Sequence, residues 1–402
     1  MSGPTRRARA ISAAAAIGLL GFAGACAGSP TLAAERAARA TRGRGDVVIA
    51  VVWPWAARTE IRYWEGLEMA VGEANAAGGV NGRKLRLVRW DDGESVDQAR
   101  LVAQRLAADP DIVAVIGHLQ SYTTVPAAAV YDEAGLVQIA PTATDPELTA
   151  HGYGRLFRAT FTDDAIGRQV ADLAARSGYR RVAIYYIRNT YGRDLANAFE
   201  RRATALGLLI VARQSYDPSG RVTEEAFEPT LREWKTLELD AIFVAGEVPS
   251  GALLIAAARR QGIRVPILGG DAMSSPALIK VAGAAAEGTV VATIFHPDEP
   301  RPEVARFTAA FEQKYGLPPD AGSAIGYDAV GLLADAMRRA GSSAPEAVAR
   351  SLHASAGWHG VTGTFAFDAN GDLVDRGLVT VAVRDGRFTF VAQPSAPVAG
   401  AK

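Results

Sequence analysis

A single cysteine in 402 residues is the first constraint on this chain. A lone thiol forms no intramolecular disulfide, so stability has to come from a buried core. Histidine is also scarce. The five are His118, His151, His296, His353 and His359. Only the last two stand near one another, in an expected loop, so no metal site is implied. Neither sign of charge is in excess, since Lys+Arg and Asp+Glu are both 43. The basic surplus of a nucleic-acid-binding protein is therefore missing, as are acidic tails and like-charge blocks. There is no P-loop and no Gly-x-Ser-x-Gly elbow, and Gly152-Tyr153-Gly154 is only a fragment of a dinucleotide fingerprint. His118 has the chemistry of a general base, but no oriented nucleophile accompanies it. Catalysis is not expected, and no cofactor is implied. Beyond the N-terminus no apolar run is long enough to cross a bilayer.

What is present begins at that N-terminus. Arg6, Arg7 and Arg9 precede an uncharged, Ala-rich run from Ile11 to Ala25. This is the pattern of a secretory signal over residues 1–26. The run ends Ala23-Gly24-Ala25-Cys26. Cys26 resembles the lipidated cysteine of a lipobox, although Leu is usual where Ala23 stands. The alternative is cleavage after Ala25, leaving the thiol idle. The mature chain is expected at the periplasmic or extracellular face of the membrane, anchored through Cys26. Residues 27–45 are rich in Ala, Arg and Gly and read as a flexible tether.

The length suits two domains, and 49% hydrophobic with 21% charged residues is ordinary for a folded protein. From Asp46 onward, short apolar runs alternate with helical spacing. Strands are expected at 47–52, 85–90, 112–116, 136–139, 182–186, 208–211, 241–244 and 267–268. Helices are expected near 61–74, 96–107, 125–134, 165–177, 193–206, 226–236 and 250–261. Segments 289–294 and 302–315 could continue either half. Such alternation argues for α/β architecture, with parallel sheets covered by helices on both faces. The last stretch changes character. Phe365 to Phe367 and Leu378 to Val383 read as strands joined through Asp368 to Gly371, and a hairpin turn at Arg384 to Arg387 leads to Phe388 to Val391. The fold class is thus α/β, with two doubly wound parallel-sheet lobes ending in antiparallel strands.

Two blocks carry a resemblance. One is Val115-Ile116-Gly117-His118-Leu119-Gln120-Ser121-Tyr122-Thr123-Thr124, and the other runs from Ile139 to Thr149, followed by Tyr153 and Phe157-Arg158-Ala159. Gly66 to Gly82, Asp91-Asp92, Thr190-Tyr191-Gly192 and Gly269-Gly270-Asp271 add to it. Together they resemble the periplasmic leucine/isoleucine/valine-binding proteins, which are type I solute-binding proteins of ABC importers. The resemblance covers nearly all of residues 46–392. It implies two lobes joined by three crossovers with the ligand between them. Lobe one would be 46–162 plus 293–360, lobe two 163–292 plus 361–392, and 393–402 a tail.

The resemblance also implies a site. Ser121 opens a helix beyond a strand, where free backbone amides attract a ligand carboxylate. Its plainer role would be an N-cap. Leu119 and Gln120 belong to the same segment. Thr144 would offer hydroxyl and amide to an amino acid's zwitterion, and Thr142 a carbonyl; a helix cap is the plainer role there. A buried ammonium needs a negative partner, and Asp271 matches the family's acidic residue, a Glu in leucine-binding members. Its plainer role would be a cap for a helix from Pro276. Tyr191 would wall the ligand or lie on the surface. Two departures stand out. Glu247 falls where family members often carry an aromatic residue, and would suit a ligand with an extra cationic or hydroxyl group; its plainer role would be a solvated loop carboxylate. Trp53-Pro54-Trp55 replaces small residues, which suggests a flat apolar ligand surface or a narrowed mouth. The expected function is a monomeric substrate-binding protein that captures an amino acid or analogue and serves a membrane permease and ATPase. A sensory receptor and a carrier of a larger apolar solute remain open at the level of sequence.

Overall fold

The computed structural model describes residues 31–59, 61–217, 222–374 and 377–391. Cys26, the signal segment and the tail lie outside them. Among the described residues no helix is long and apolar enough to cross a membrane.

The first sheet contains β1 (Val47–Val52), β2 (Leu85–Trp90), β3 (Ile112–Ile116), β4 (Val137–Ala140) and β5 (Leu156–Arg158), all parallel, in the order β2-β1-β3-β4-β5. Every residue of β1 is buried. Val47, Ile49 and Val51 enter one apolar cluster, Val48, Ala50 and Val52 another on the opposite face. A side-chain period of two therefore produces an unbroken hydrophobic run in a central strand. On the first face lie α2 (Tyr63–Ala76) and α12 (Ala321–Ala340); on the second, α3 (Val96–Ala108) and α4 (Ser121–Glu133).

The second sheet repeats the order. Its parallel strands are β6 (Arg181–Ile187), β7 (Leu209–Tyr216), β8 (Ala241–Ala245), β9 (Ile267–Gly269) and β10 (Val290–Thr293), arranged β7-β6-β8-β9-β10. Then β13 (Val379–Arg384) joins antiparallel to β10, and β14 (Arg387–Val391) antiparallel to β13. Asp385 and Gly386 both have positive φ (50° and 68°), as a two-residue type I′ turn between twisted strands requires. The covering helices include α6 (Asp163–Arg176), α7 (Thr190–Ala205), α8 (Glu228–Trp234), α9 (Ser250–Arg260) and α10 (Pro276–Ala282). The chain passes between the lobes after β5, after β10 and again before β13.

Several expectations need correction. Part of the presumed tether is a helix, α1 (Leu32–Arg42), capped by Thr31 and ended by Gly43 at φ 66°. Its Arg36 is fully buried. The guanidinium donates to the carbonyls of Ala107 (2.7 Å), Asp109 (3.1 Å) and Ile112 (2.8 Å), and also to that of Ala134. The carbonyls of Ala107, Asp109 and Ala134 lie at the C-terminal ends of α3 and α4, where a cation is favoured, and that of Ile112 at the start of β3. Composition alone could not reveal that partner. Helix α4 starts at Ser121 rather than Val125, and β5 lies inside what sequence suggested was a loop. The short α5 (Glu147–Ala150) occupies the same stretch. The final return to lobe two comes later than residue 361. Phe365, in β12 (Thr364–Ala366), pairs with β11 (Ala356–His359), and both Phe365 and Phe367 pack in the core of lobe one. The turn from Asp368 to Gly371 brings Leu373 back beside Phe367 rather than leading to β13. Before that, α11 (Pro302–Tyr315) joins lobe one, with Tyr315 bonding the Glu65 carbonyl at 2.8 Å and Phe307 packed on Tyr327, ring centroids 4.9 Å apart. The last helix, α13 (Pro345–His353), also packs in the core of lobe one.

Candidate functional site

In an open parallel sheet, the loops beyond the carboxyl ends of the strands diverge where the strand order reverses. Each lobe has such a point, between β1 and β3 in one and between β6 and β8 in the other. The two points face each other across one cavity of about 140 Å³. That is close to the roughly 150 Å³ of an engineered cavity that admits benzene, so a small solute fits.

All nine residues expected from sequence line this cavity: Trp53, Leu119, Gln120, Ser121, Thr142, Thr144, Tyr191, Glu247 and Asp271. They follow β1, β3, β4, β6, β8 and β9 in turn. Gly117 makes the first approach. It sits at φ +143°, and a Cβ there would lie 2.4 Å from the Val52 carbonyl oxygen. Only glycine lets the β3 loop pass so close to β1.

Ser121 is not a cap. Gln120 holds the N-cap position and makes no side-chain cap bond, while the Ser121 hydroxyl accepts from the Asp145 amide at 3.3 Å. The Thr142 hydroxyl donates to the Leu119 carbonyl at 2.8 Å, tying the β3 and β4 loops together. Arg158 anchors the β4 loop from below. It is fully buried, pairs with Asp372 at 2.6 Å, and donates to the Asp145 carbonyl (2.6 Å), the Ala143 carbonyl (3.2 Å) and the Thr149 hydroxyl (2.8 Å).

Lobe two contributes the acid. Asp271 does not cap α10, whose N-cap is Ser275. Instead it accepts from the Tyr191 hydroxyl at 2.9 Å. Burial pushes the Asp271 carboxyl above its ordinary range, against the lowering effect of that hydrogen bond. Tyr191 is buried rather than a surface residue, and burial raises its phenol well above the usual value. Among the described residues no cation forms a salt bridge with Asp271, so its charge is unmatched by the protein. A second buried carboxyl, Asp163, stands close by. Its oxygens make no hydrogen bond of ordinary geometry. Burial holds its pKa well above the usual range, with Asp271 adding to the effect and the Thr144 hydroxyl opposing it.

Glu247, expected to suit a ligand with an extra cationic or hydroxyl group, lines the cavity, and its carboxylate is also met by Arg58 at 2.7 Å. Arg58 also lines the cavity, as do Ile61, Asp320 and Ile325; sequence reasoning missed all four. The Asp320 carboxylate is engaged by the amides of Arg62 and Ser323 at 3.1 and 2.8 Å. These residues come from a loop and from the start of α12, with no local pattern to mark them. Trp53 packs face to face on Tyr63, ring centroids 4.0 Å apart. Trp55 packs edge-on to Trp64 at 5.4 Å and does not line the cavity. His118 lies outside it too, locked between Asp92 (2.7 Å) and the Tyr131 hydroxyl (3.0 Å).

Comparison with known proteins agrees with this geometry. Residues 47–387 match the family described as periplasmic binding protein. A Leu/Ile/Val-binding protein homolog 1 from Brucella suis is 31% identical over 336 residues, which cover 82% of this chain and 88% of that protein. An amino acid binding protein from Pseudomonas aeruginosa is 30% identical over 340 residues, covering 83% and 89%. Among solved structures, an ABC transporter substrate-binding protein from Desulfitobacterium hafniense in complex with Leu superposes with a TM-score of 0.77 at 38% identity, covering 86% of this chain and all of that one. Two lobes of like topology, an interlobe cavity built from strand ends and this breadth of similarity lead to one assignment: the chain belongs to the periplasmic binding protein family.

Proposed function

We propose that this protein is the extracytoplasmic substrate-binding component of an ABC importer and captures an amino acid, or a closely related small amphiphilic solute, between its lobes. The observation that carries this reading is the polarity of the cavity. One jaw offers the Ser121 hydroxyl and the first amides of α4, which suit a carboxylate. The other offers Asp271, a carboxylate with no cation of its own, which suits an ammonium. Only a ligand carrying both charges, or two matching groups, bridges the jaws. The Brucella and Pseudomonas relatives, named for Leu/Ile/Val and amino-acid binding, and the leucine-bound Desulfitobacterium structure support an amino acid as cargo.

In this mechanism the ligand docks first on lobe one through Ser121 and Thr144. The lobes then close about the crossovers and bring Asp271 and Tyr191 to the ligand. The closed form is favoured because the ligand has more partners in it than in the open one. A permease and its ATPase in the membrane receive the closed protein, which Cys26 tethers there by its lipid. Calorimetry with a panel of free amino acids tests the reading. Ser121→Ala should weaken binding of the best ligand by about 1–3 kcal/mol through the lost charge-assisted bond. Unchanged affinity removes Ser121 from the site, and no binding of any amino acid by the native protein removes the cargo assignment.

A further inference from the structure

The cavity mouth is crossed by a cluster of charges. Arg58 lies in the loop after β1. Its Nε donates to Glu94 at 2.6 Å, its Nη2 to Glu247 at 2.7 Å, and its Nη1 to the Val248 carbonyl at 3.0 Å. The Gln120 amide donates to both Glu94 and Glu247 at 3.2 Å. Arg58, Glu94 and Gln120 belong to lobe one; Glu247 and Val248 belong to lobe two. The three charged side chains are between 17% and 24% exposed, neither sealed nor open to bulk water.

We propose that Arg58 is a latch on the closed state, a positioning residue whose bonds to Glu247 and Val248 exist only while the lobes are together. This rests on the capture-by-closure reading above. The guanidinium fork is held on lobe one by Glu94, which shares its lobe. Closing therefore orders little that was not already ordered, and the planar fork reaches lobe two with its remaining donors preset. The new bonds are charge-assisted, which strengthens them, and partly solvated, which weakens them. Two carboxylates already occupy the Arg58 charge, so its effect falls on separation of the lobes and hence on release of the ligand. Interface changes of this kind act mainly through the dissociation rate.

The test is a double-mutant cycle on Arg58→Met and Glu247→Gln, read by stopped-flow release of bound L-leucine, or of the best amino acid from the panel. Salt is set at about 20 mM and about 500 mM, where screening lengths are roughly 20 Å and 4 Å. Each single variant should release the ligand about tenfold faster at low salt, and the double variant faster by clearly less than the product of the two effects, since the Arg58–Glu247 bond is lost in both. Native release should quicken with salt, and release from Arg58→Met should not. Additive effects in the double variant overturn the latch. So does a Glu247→Gln protein that releases like the native one while Arg58→Met does not, since that marks Arg58 as a direct ligand contact. If the native protein binds no amino acid, the capture reading falls by itself and the latch is read from solution scattering. Arg58→Met should then be larger than the native protein at low salt, and equal radii of gyration refute the latch.

Discussion

Replacing Arg158 by Met tests how the ligand-facing loop is held. The side chain is fully buried and supports the segment that presents Thr142 and Thr144. Met fills much of the same length but donates nothing. Removing one member of a buried ion pair costs about 3–5 kcal/mol in general. Here Asp372 is 27% exposed at its side chain, so water can take over part of its charge. The Asp145 carbonyl keeps the Leu148 amide at 3.1 Å, but the Ala143 carbonyl has no such recourse, and an orphaned acceptor costs about 1–3 kcal/mol. With the ion-pair cost discounted for that exposure, the Ala143 carbonyl brings the lost stability to about 2–3 kcal/mol, measurable by urea unfolding. The same loop would lose its register, so affinity for the best amino acid should fall by at least about tenfold, which is 1.4 kcal/mol. Asp372→Asn keeps the loop carbonyls paired and should be milder in both assays. Stability within about 1 kcal/mol of native, the range of ordinary surface substitutions and mild core changes, together with unaltered binding, would refute the idea that Arg158 holds the β4 loop.

Two further outcomes concern the acid and the close approach. Asp271→Asn should weaken amine-bearing ligands more than neutral analogues, and equal losses would show that the ammonium does not sit there. Burial holds the Asp271 proton to higher pH in the folded protein than in the unfolded chain. Its contribution to stability therefore declines as pH rises from the ordinary carboxyl value to the raised one. An arriving ammonium favours the ionised form, so binding should release a proton and strengthen with pH across that window. Calorimetry in two buffers of different ionisation enthalpy measures this, and proton uptake would contradict it. Gly117→Ala should lower the melting temperature and weaken binding at least about tenfold, because its Cβ would meet the Val52 carbonyl at 2.4 Å from a backbone conformation that alanine resists. Native-like melting and binding would show that the loop can shift without harm.

Much of this architecture is legible in the chain itself. A central strand such as β1 reads as six consecutive apolar residues because both its faces are covered, and the Gly and Asp-Gly punctuation between runs marks turns by its backbone demands. The site positions were legible for a related reason. Doubly wound sheets put ligands beyond strand ends, and Ser121, Thr144, Tyr191 and Asp271 each follow a strand that the hydrophobic pattern reveals. Their plainer roles as caps or surface residues fell away only in three dimensions, once Gln120 and Ser275 took the cap positions.

Other features depend on long-range contact, which no local pattern encodes. Arg36 looks like part of a polar tether until the carbonyls at the ends of α3 and α4 surround it. Phe365 and Phe367 look like the start of a lobe-two hairpin until the turn after them proves to return to lobe one. Glu247 looks like an unpaired carboxylate awaiting a ligand until Arg58, 189 positions earlier, reaches it across the cleft. Periodicity, turn chemistry and motif spacing are properties of neighbours along the chain, so the sequence alone determined the elements and the loops that carry the site. Which charges neutralise one another, and on which side of the cleft a segment lies, depends on distances through space, and those only the tertiary structure decided.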